Sequence, residues 1–142
     1  MSAECELCGA SGGAVLWQND LCRVVLVDEP RYPGYCRVIL ARHVRETTDL
    51  EPAERARLVA VVFAVEEAVR ETMRPDKVNV ASLGNLVPHV HWHVVPRFRD
   101  DAHFPSPVWC APLREAPVPA ERAARASDLA QAVRARLARL AP

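Results

Sequence analysis

The chain has 142 residues and a mass of 15.7 kDa, and 50% of its residues are hydrophobic and 25% charged, as is typical of one soluble globular domain. Its 18 Lys and Arg residues balance 18 Asp and Glu residues, so no net charge favours nucleic acid or an anionic membrane as a partner. The longest apolar runs, such as 59–65, are far shorter than the roughly 20 residues that cross a bilayer.

The N-terminus and the cysteines favour the cytoplasm. The first six residues, MSAECE, lack the basic and apolar regions of a secretory signal. Five cysteines are an odd number and are scattered along the chain, unlike the disulfide framework of a small secreted domain. We therefore expect a cytoplasmic protein whose cysteines are buried or bind a metal ion.

The N-terminal part of the chain predicts three strands. Two apolar segments at 14–18 and 21–28 are separated by a tight polar turn, which is typical of a hairpin. After a loop rich in Pro and Gly, the β-branched segment 35–40 predicts a third strand. His43 follows the end of this strand.

A long amphipathic helix is expected next. Thr48 and Glu51 form the pattern of a capping box, and Pro52 is acceptable in a first helical turn, so the helix should begin there. Apolar residues recur at helical spacing along it: Leu58, Val61, Val62, Val65 and Val69. The Arg-Pro pair at 74–75 is expected to end the helix at about Met73.

The second half of the chain adds two strands and a further helix. Residues 77–83 and 87–98 predict a fourth and a fifth strand that pair antiparallel. Residues 100–119 contain five prolines and predict an irregular arm, and residues 120–140 resume a helical pattern. We expect an α+β fold with a mainly antiparallel five-stranded sheet, one long helix packed on it and a C-terminal helix, in a single domain over 1–142.

Three of the five histidines alternate with apolar residues near position 90. Alternate side chains of a strand share a face, so His89, His91 and His93 are expected to form a row while the residues between them project into the core. Neighbouring Cα atoms in such a row are roughly 6.5 to 7 Å apart. The imidazoles would then be close enough to hold one bound group.

The chemistry of imidazole suits a phosphoryl centre. The ring titrates near neutral pH, so the row can supply a nucleophile, a proton donor and an orienting group. A neutral ring can attack phosphorus, and a protonated ring can neutralise the phosphoryl oxygens. Two other interpretations stay open from the residues alone: a polar row on a half-buried strand that has no function, and a catalytic zinc site that uses the histidines as ligands.

The segment His89–Val95 resembles the signature of the histidine triad (HIT) family, His-φ-His-φ-His-φ-φ with φ apolar, at every position. The resemblance covers a core of about residues 5–110, and the Pro-rich arm and the C-terminal helix occupy 100–142. It implies a HIT-like fold and a nucleotide hydrolase or transferase that needs no organic cofactor. The expected substrate is a purine nucleoside phosphate of the dinucleoside polyphosphate or nucleoside phosphoramidate type.

The resemblance also assigns roles to the histidines. It implies that His91 is the nucleophile that forms a covalent nucleotidyl-histidine. His93 would bind the α-phosphate and assist catalysis, and His89 would hold and orient the row. It further implies a homodimer. A module that binds nucleotides without turnover is the non-catalytic alternative.

Four further residues occupy the family's substrate-binding positions. Asp28 matches the acidic residue that contacts the ribose hydroxyls, and Asn79 matches the polar side chain near the scissile phosphate. Gly84 matches the glycine whose backbone lies close to that phosphate, and Asn85 stands where many members place Gln. These four residues are therefore expected to bind substrate.

Two other positions depart from the family pattern. Leu86 stands where many members place a Ser or Thr hydroxyl, and Tyr35 stands where a further histidine commonly precedes the third strand. We expect both changes to affect the choice of substrate and leaving group more than the type of reaction.

A second group of residues suggests structural zinc. Cys5 and Cys8 form a lone Cys-x-x-Cys, which needs two further donors to hold a zinc ion, and His43 and His89 are the candidate donors. Some triad proteins resemble this arrangement, which implies a closed site that fastens the N-terminus to the catalytic strand. The alternative is that the cysteines are simply buried.

Several residues outside these groups carry open expectations. Arg97 and Arg99 would alternate on the face of the triad, where they either hold a polyphosphate or remain solvated. His103 and Trp109 belong to an arm that either forms a lid or packs as an ordinary surface segment. The remaining cysteines, at 22, 36 and 110, are expected to lie in the core.

Overall fold

One antiparallel sheet forms the centre of the molecule, which the computed structural model describes over residues 4–140. The strands lie in the order β1-β2-β3-β5-β4, and each neighbouring pair is antiparallel. Their bounds are β1 (Ala14–Gln18), β2 (Cys22–Leu26), β3 (Cys36–Leu40), β4 (Lys77–Ala81) and β5 (His91–Arg97). The predicted α+β class, the five strands and the antiparallel pairing of the last two are confirmed.

The helices of the described residues are α1 (Glu6–Gly9), α2 (Pro52–Met73), α3 (Ala120–Arg125) and α4 (Leu129–Leu137). Among residues 4–140, no helix is both long and apolar enough to span a bilayer. The predicted stripe of α2 is buried against the sheet together with Ala64, Ala68 and Met73. Helix α4 packs on α2 and β1 through Leu129, Val133 and Leu137.

The start of α2 differs from the prediction. Residues 47–49 form a separate 3₁₀ turn, and the helix begins at Pro52, where the Glu51 N–H donates to the Glu54 carboxylate at 3.2 Å. The capping pair is therefore one turn further along the chain than the Thr48 pattern indicated. The predicted end at Met73 is confirmed, with the next residue in the left-handed region at φ 50.

Three predicted elements are shorter or interrupted in the structure. Strand β4 ends earlier than predicted and strand β5 begins later, so residues 82–90 form a loop. Gly84 in this loop has φ +86, and Pro88 cannot donate to a strand ladder. The C-terminal helix is interrupted by a 3₁₀ turn at Ala126–Asp128. The arm at 100–119 has no helix or strand, as predicted.

The two faces of the sheet carry different residues. One face holds the main core against α2 and α4. The other, which we call the site face, is covered by the N-terminal segment through Leu7 and by the arm through Val108. On β2 to β5 the site face carries Arg23, Val25, Arg37, Ile39, Lys77, Asn79, Ala81, His91, His93, Val95 and Arg97.

Candidate active site

Two of the three predicted histidines lie side by side on the site face. His91 and His93 are two positions apart on β5, and their ring centroids are 4.9 Å apart at an angle of 72°. Both side chains are nearly buried, at 8% and 4% exposure. The structure therefore brings together the two histidines to which the motif assigned the chemistry.

A backbone hydrogen bond orients the His91 ring. Its Nδ1–H donates to the carbonyl oxygen of His89 at 2.6 Å. Because a carbonyl oxygen can only accept, Nδ1 carries the proton, and the neutral ring has its free lone pair on Nε2. This is the state in which an imidazole acts as a nucleophile.

His93 is held by a tyrosine. The Tyr35 hydroxyl lies 2.6 Å from His93 Nδ1. Burial raises the pKa of Tyr35, so the hydroxyl keeps its proton and can donate to Nδ1, which leaves His93 Nε2 as the N–H donor. Burial, the neighbouring His91 and Arg37 together lower the pKa of His93 to about 3, so its ring is neutral near pH 7.

The His89 ring lies in a separate cluster. Its Nδ1 is 3.5 Å from Cys5 Sγ, 3.6 Å from Cys8 Sγ and 3.3 Å from His43 Nδ1, and Cys8 Sγ is 3.4 Å from the same His43 atom. The four ligand atoms lie within 4.8 Å of one another. The predicted row of three histidine rings is therefore wrong: only His91 and His93 lie side by side. The His89 ring belongs to the cluster of four residues that were predicted to bind zinc.

The donor set fits a metal ion of tetrahedral preference. Zinc bonds of about 2.3 Å to sulfur and 2.0 to 2.1 Å to nitrogen place tetrahedral ligand atoms roughly 3.3 to 3.8 Å apart, and the four distances above fall in this range. His89 Nε2–H donates to the Leu40 carbonyl at 2.7 Å, so its Nδ1 lone pair points to the cluster. Cys5, Cys8, His43 and His89 therefore form a candidate metal site.

An arginine fixes the segment that carries the two cysteines. The Arg23 guanidinium donates to the carbonyl oxygens of Leu7, Ala10 and Ser11 at 2.8 to 3.0 Å. These three bonds attach the N-terminal segment to β2 beside the candidate metal site. Sequence reasoning assigned no role to Arg23.

Two cavities flank the histidine pair. A cavity of about 310 Å³ beside His91 is lined by Ser82 and Gly84 of the loop and by Arg45, Thr47 and Thr48. A cavity of about 320 Å³ is lined by Asp28, Tyr35, Arg37 and Trp109, and the last of these contacts the His93 ring at a centroid distance of 5.0 Å. Two predicted substrate residues, Asp28 and Gly84, therefore line cavities beside the pair.

The other two predicted substrate residues lie elsewhere. Asn79 Oδ1 accepts a hydrogen bond of 2.6 Å from Arg97 Nη1. Asn85 is exposed, and the adjacent Leu86 is 93% exposed; neither lines the two cavities. In the structure Asn79 is therefore bonded to Arg97, and Asn85 lies at the surface.

Buried polar contacts hold part of the arm and the end of β5 in place. Arg97 is 2% exposed and forms an ion pair of 2.9 Å with Asp101, so it is not a solvated arginine. His103 is buried and lies 2.5 Å from the Tyr32 hydroxyl. Cys110 is exposed, which contradicts its expected place in the core, because the arm turns its end towards solvent.

The HIT domain family matches residues 10–100 of the chain. This match covers the five strands, α2 and the histidine pair. The chain belongs to the HIT domain family.

Relatives of this HIT domain protein include two curated enzymes and a solved structure. An AP-4-A phosphorylase of Mycobacterium tuberculosis is 35% identical over 98 residues, which are 65% of this chain and 50% of that protein. A bis(5'-nucleosyl)-tetraphosphatase (asymmetrical) of Schizosaccharomyces pombe is 30% identical over 95 residues, 63% and 52% of the two chains. A histidine triad protein of Marinobacter aquaeolei superposes with a TM-score of 0.73 at 29% identity over 99% of both chains.

The HIT domain protein spans about half the length of the curated relatives that it matches. Three residues of its site were not predicted from the sequence to contact the triad: Tyr35, Arg37 and Trp109. Tyr35 was noted only as a departure from the family pattern. Arg37 could have been found by pairing the third and fifth strands, because the register places it opposite His93.

Proposed function

We propose that this HIT domain protein is a nucleotidyl hydrolase or transferase that works through a covalent nucleotidyl-histidine at His91. The observation that carries the proposal is the bond from His91 Nδ1–H to the His89 carbonyl, because in the neutral ring it puts the nucleophilic lone pair on Nε2. The names of the two curated relatives, a phosphorylase of AP-4-A and a tetraphosphatase of bis(5'-nucleosyl) compounds, support dinucleoside polyphosphates as the substrate class. Nucleoside phosphoramidates are the second class.

The proposed reaction has two displacements. His91 Nε2 attacks the α-phosphorus, a P–N bond forms, and the P–O or P–N bond to the leaving group breaks with its electron pair. The resulting N-phosphoryl imidazolium keeps its Nδ1–H bonded to the His89 carbonyl. Water, or inorganic phosphate as acceptor, then attacks the same phosphorus, and the P–N bond breaks to return the electron pair to Nε2. A leaving amine takes up a proton from solvent, and the proton of the attacking water or hydrogen phosphate passes to solvent.

Other residues of the site would bind the substrate. The Asp28 carboxylate is proposed to accept hydrogen bonds from the ribose hydroxyls of a purine nucleotide in the cavity that it shares with Trp109. Gly84 would bring its backbone close to the phosphate in the cavity beside His91. His93 would donate its Nε2–H to the α-phosphate. Asn79 and Asn85 remain predicted substrate contacts.

Replacement of the nucleophile tests the reaction. His91→Ala should lower kcat for diadenosine tetraphosphate and adenosine phosphoramidate by roughly 10³-fold or more, measured by chromatography of the products with and without inorganic phosphate. The nucleotidyl-histidine bond is acid-sensitive, so the wild-type protein is quenched rapidly without acid. Mass spectrometry should then detect one nucleotidyl group on His91. Retained binding of AMP and an unchanged melting temperature would show that the variant is folded. Turnover by His91→Ala at the wild-type rate would reject the nucleophile.

The non-catalytic alternative rests on a different observation. Leu86 is almost fully exposed and brings no hydroxyl to the cavity beside His91, where family members commonly have Ser or Thr. Tight AMP binding by the wild-type protein with no cleavage across a panel of activated nucleotides would favour a nucleotide-binding module over an enzyme.

We propose that the ion held by Cys5, Cys8, His43 and His89 is zinc with a structural role. Two thiolates and two imidazoles complete a tetrahedral set from protein atoms alone, which leaves no position for substrate. Zinc bound there would attach the N-terminal segment to the loop that precedes β5 and to the segment after β3. A catalytic zinc held by the triad is not supported, because the metal-ligand cluster of residues 4–140 contains neither His91 nor His93.

The homodimer and the cytoplasmic location stay predictions. Sedimentation at micromolar concentration tests the first: a mass near 31 kDa, about twice that of one chain, is expected, and a mass near that of one chain would contradict it.

A further inference from the structure

The site face carries three arginines, and two of them are each held by hydrogen bonds to three partners. Arg23 donates to three backbone carbonyls, and Arg97 binds Asp101, Asn79 and the Ser106 carbonyl. The third, Arg37, forms no ion pair with a carboxylate of residues 4–140. Its Nε atom is buried and has no hydrogen-bond partner among the same residues.

Arg37 lies between the histidine pair and the proposed nucleotide cavity. The register places it directly opposite His93 on the neighbouring strand, where side chains on one face are in contact distance. It lines the cavity that contains Asp28 and Trp109, and its guanidinium carbon is 5.8 Å from the centre of the Tyr35 ring. The charge of Arg37 is also near enough to His93 to help lower the pKa of that ring, so the residue adjoins both the cavity and the histidine pair.

The site needs a cation that the histidines do not supply. A phosphoryl group carries negative charge on its non-bridging oxygens throughout the reaction, while His93 is neutral near pH 7 and offers a hydrogen bond without charge. Of the other arginines that line the two cavities, Arg31 is paired with Glu29 at 3.1 Å and Arg45 with Glu46 at 3.5 Å. A guanidinium is the side chain best matched to two phosphate oxygens, since it donates two parallel hydrogen bonds.

We propose that Arg37 binds the phosphate that His91 attacks, and so acts as the charge-neutralising residue of the site. This inference rests on the proposed function, because it assigns the phosphate of a nucleoside 5'-phosphate to that position. The guanidinium contacts the Tyr35 side chain, but its free Nε and the absence of a carboxylate partner within residues 4–140 leave it able to bind this ligand.

The test compares Arg37→Gln with Arg57→Gln, a matched substitution at an exposed arginine that is paired with Asp20 far from the histidines. Calorimetric titration measures the affinity of each variant for AMP and for adenosine. Arg37→Gln should weaken AMP binding by roughly 10- to 100-fold, as expected for the loss of charge-assisted hydrogen bonds, and leave adenosine affinity unchanged. Arg37→Lys should retain part of the AMP affinity, and Arg57→Gln all of it.

The outcomes separate this inference from the proposed function. If the wild-type protein binds AMP and Arg37→Gln binds it equally well, Arg37 does not hold the phosphate, and the proposed function is unaffected. If Arg37→Gln weakens AMP and adenosine equally, the residue contacts the nucleoside instead and the inference is overturned. If the wild-type protein neither binds AMP nor cleaves any activated nucleotide, the proposed function itself fails.

Discussion

At the scale of single residues, hydrogen bonds to carbonyls decide which nitrogen each histidine presents. His91 gives its Nδ1–H to the His89 carbonyl, and His89 gives its Nε2–H to the Leu40 carbonyl. The first therefore presents Nε2 to one of the cavities, and the second presents Nδ1 to two cysteines. Two histidines of the same motif can thus serve different chemistry, because each donates its single proton in a different direction.

Tyr35 controls the third histidine in the same way. Tyr35→Phe removes the 2.6 Å partner of His93 Nδ1 and leaves a buried nitrogen unpaired, which costs about 1 to 3 kcal/mol of unfolding free energy. Without this partner the ring is free to rotate or change tautomer, so we expect kcat/KM to fall roughly 10-fold, more through kcat than KM. Urea unfolding and steady-state kinetics measure the two effects.

Tyr35→His provides the control, since a histidine commonly stands at this position in the family that the motif resembles. It should recover most of the activity lost in Tyr35→Phe because it restores a ring that can donate to His93. Wild-type kcat/KM in Tyr35→Phe would show that the hydroxyl takes no part.

At the scale of elements, the arm at 100–119 is held without a helix or a strand. Asp101 is its centre: its carboxylate accepts two bonds from the Arg97 guanidinium and one from each of the N–H groups of Phe98, His103 and Phe104, with the last two on Oδ1. These donors satisfy the buried carboxylate, and the carboxylate in turn satisfies three backbone N–H groups that no helix or strand pairs. The arm can therefore cover the site face in an irregular conformation.

This network predicts how stability depends on pH. Burial alone would raise the pKa of Asp101, but the Arg97 guanidinium and the three N–H groups lower it from 3.8 to about 2. Because the folded-state pKa is the lower one, its stabilising contribution is complete above about pH 4 and is lost as the pH falls towards 2. The contribution is about 2 kcal/mol, and urea unfolding between pH 2 and 7 should detect it.

Asp101→Asn and Asp100→Asn form a matched pair for this experiment. Asp101→Asn leaves Arg97 buried without its counter-ion, so it should lose roughly 3 to 5 kcal/mol at pH 7 and flatten the acid part of the stability curve. Asp100 is 65% exposed in its pair with Arg122, so its variant should change stability by less than about 1 kcal/mol. Equal effects of the two substitutions would contradict the buried network.

At the scale of the whole molecule, the candidate zinc site joins parts of the chain that are far apart in sequence. Its ligands come from the N-terminal segment, the end of β3 and the loop before β5. The backbone of one ligand, His89, also orients the proposed nucleophile. Loss of the ion should therefore affect both the N-terminal segment and the active site.

Counting reactive thiols tests the metal site. Cys22 and Cys36 are buried and burial raises the pKa of each to about 12, so neither should react while the protein is folded. With zinc bound, only Cys110 should react with a thiol reagent. Removal of zinc by a chelator should expose Cys5 and Cys8 as well, and denaturation should expose all five, while the melting temperature falls on chelation.

A Cys110→Ala variant should show one reactive thiol fewer at every stage. Zinc-saturated protein in which Cys5 and Cys8 already react, or in which chelation changes neither the thiol count nor the melting temperature, would rule out the four-residue site.

Local patterns of the sequence were sufficient for much of the fold and for the motif. The period-two segments predicted five strands, the apolar stripe and the Arg-Pro pair predicted the body and the end of α2, and the prolines predicted an irregular arm. These features depend on neighbours within a few residues, so the sequence itself carries them. The histidine motif is also local, so the family and the two histidines of the pair were predicted in the same way. The four metal-ligand candidates are far apart in the sequence, and only the resemblance to other triad proteins brought them together.

The tertiary structure decided which role each of these residues can have. The alternation that predicted a row of three histidines holds only while the chain is an extended strand, and the strand begins at His91. Which nitrogen each ring presents, and that Arg37 lies opposite His93, depend on carbonyls and strands brought together by folding. A single sequence lists the side chains of a site, but the pairing of distant strands sets their distances, their burial and hence their protonation.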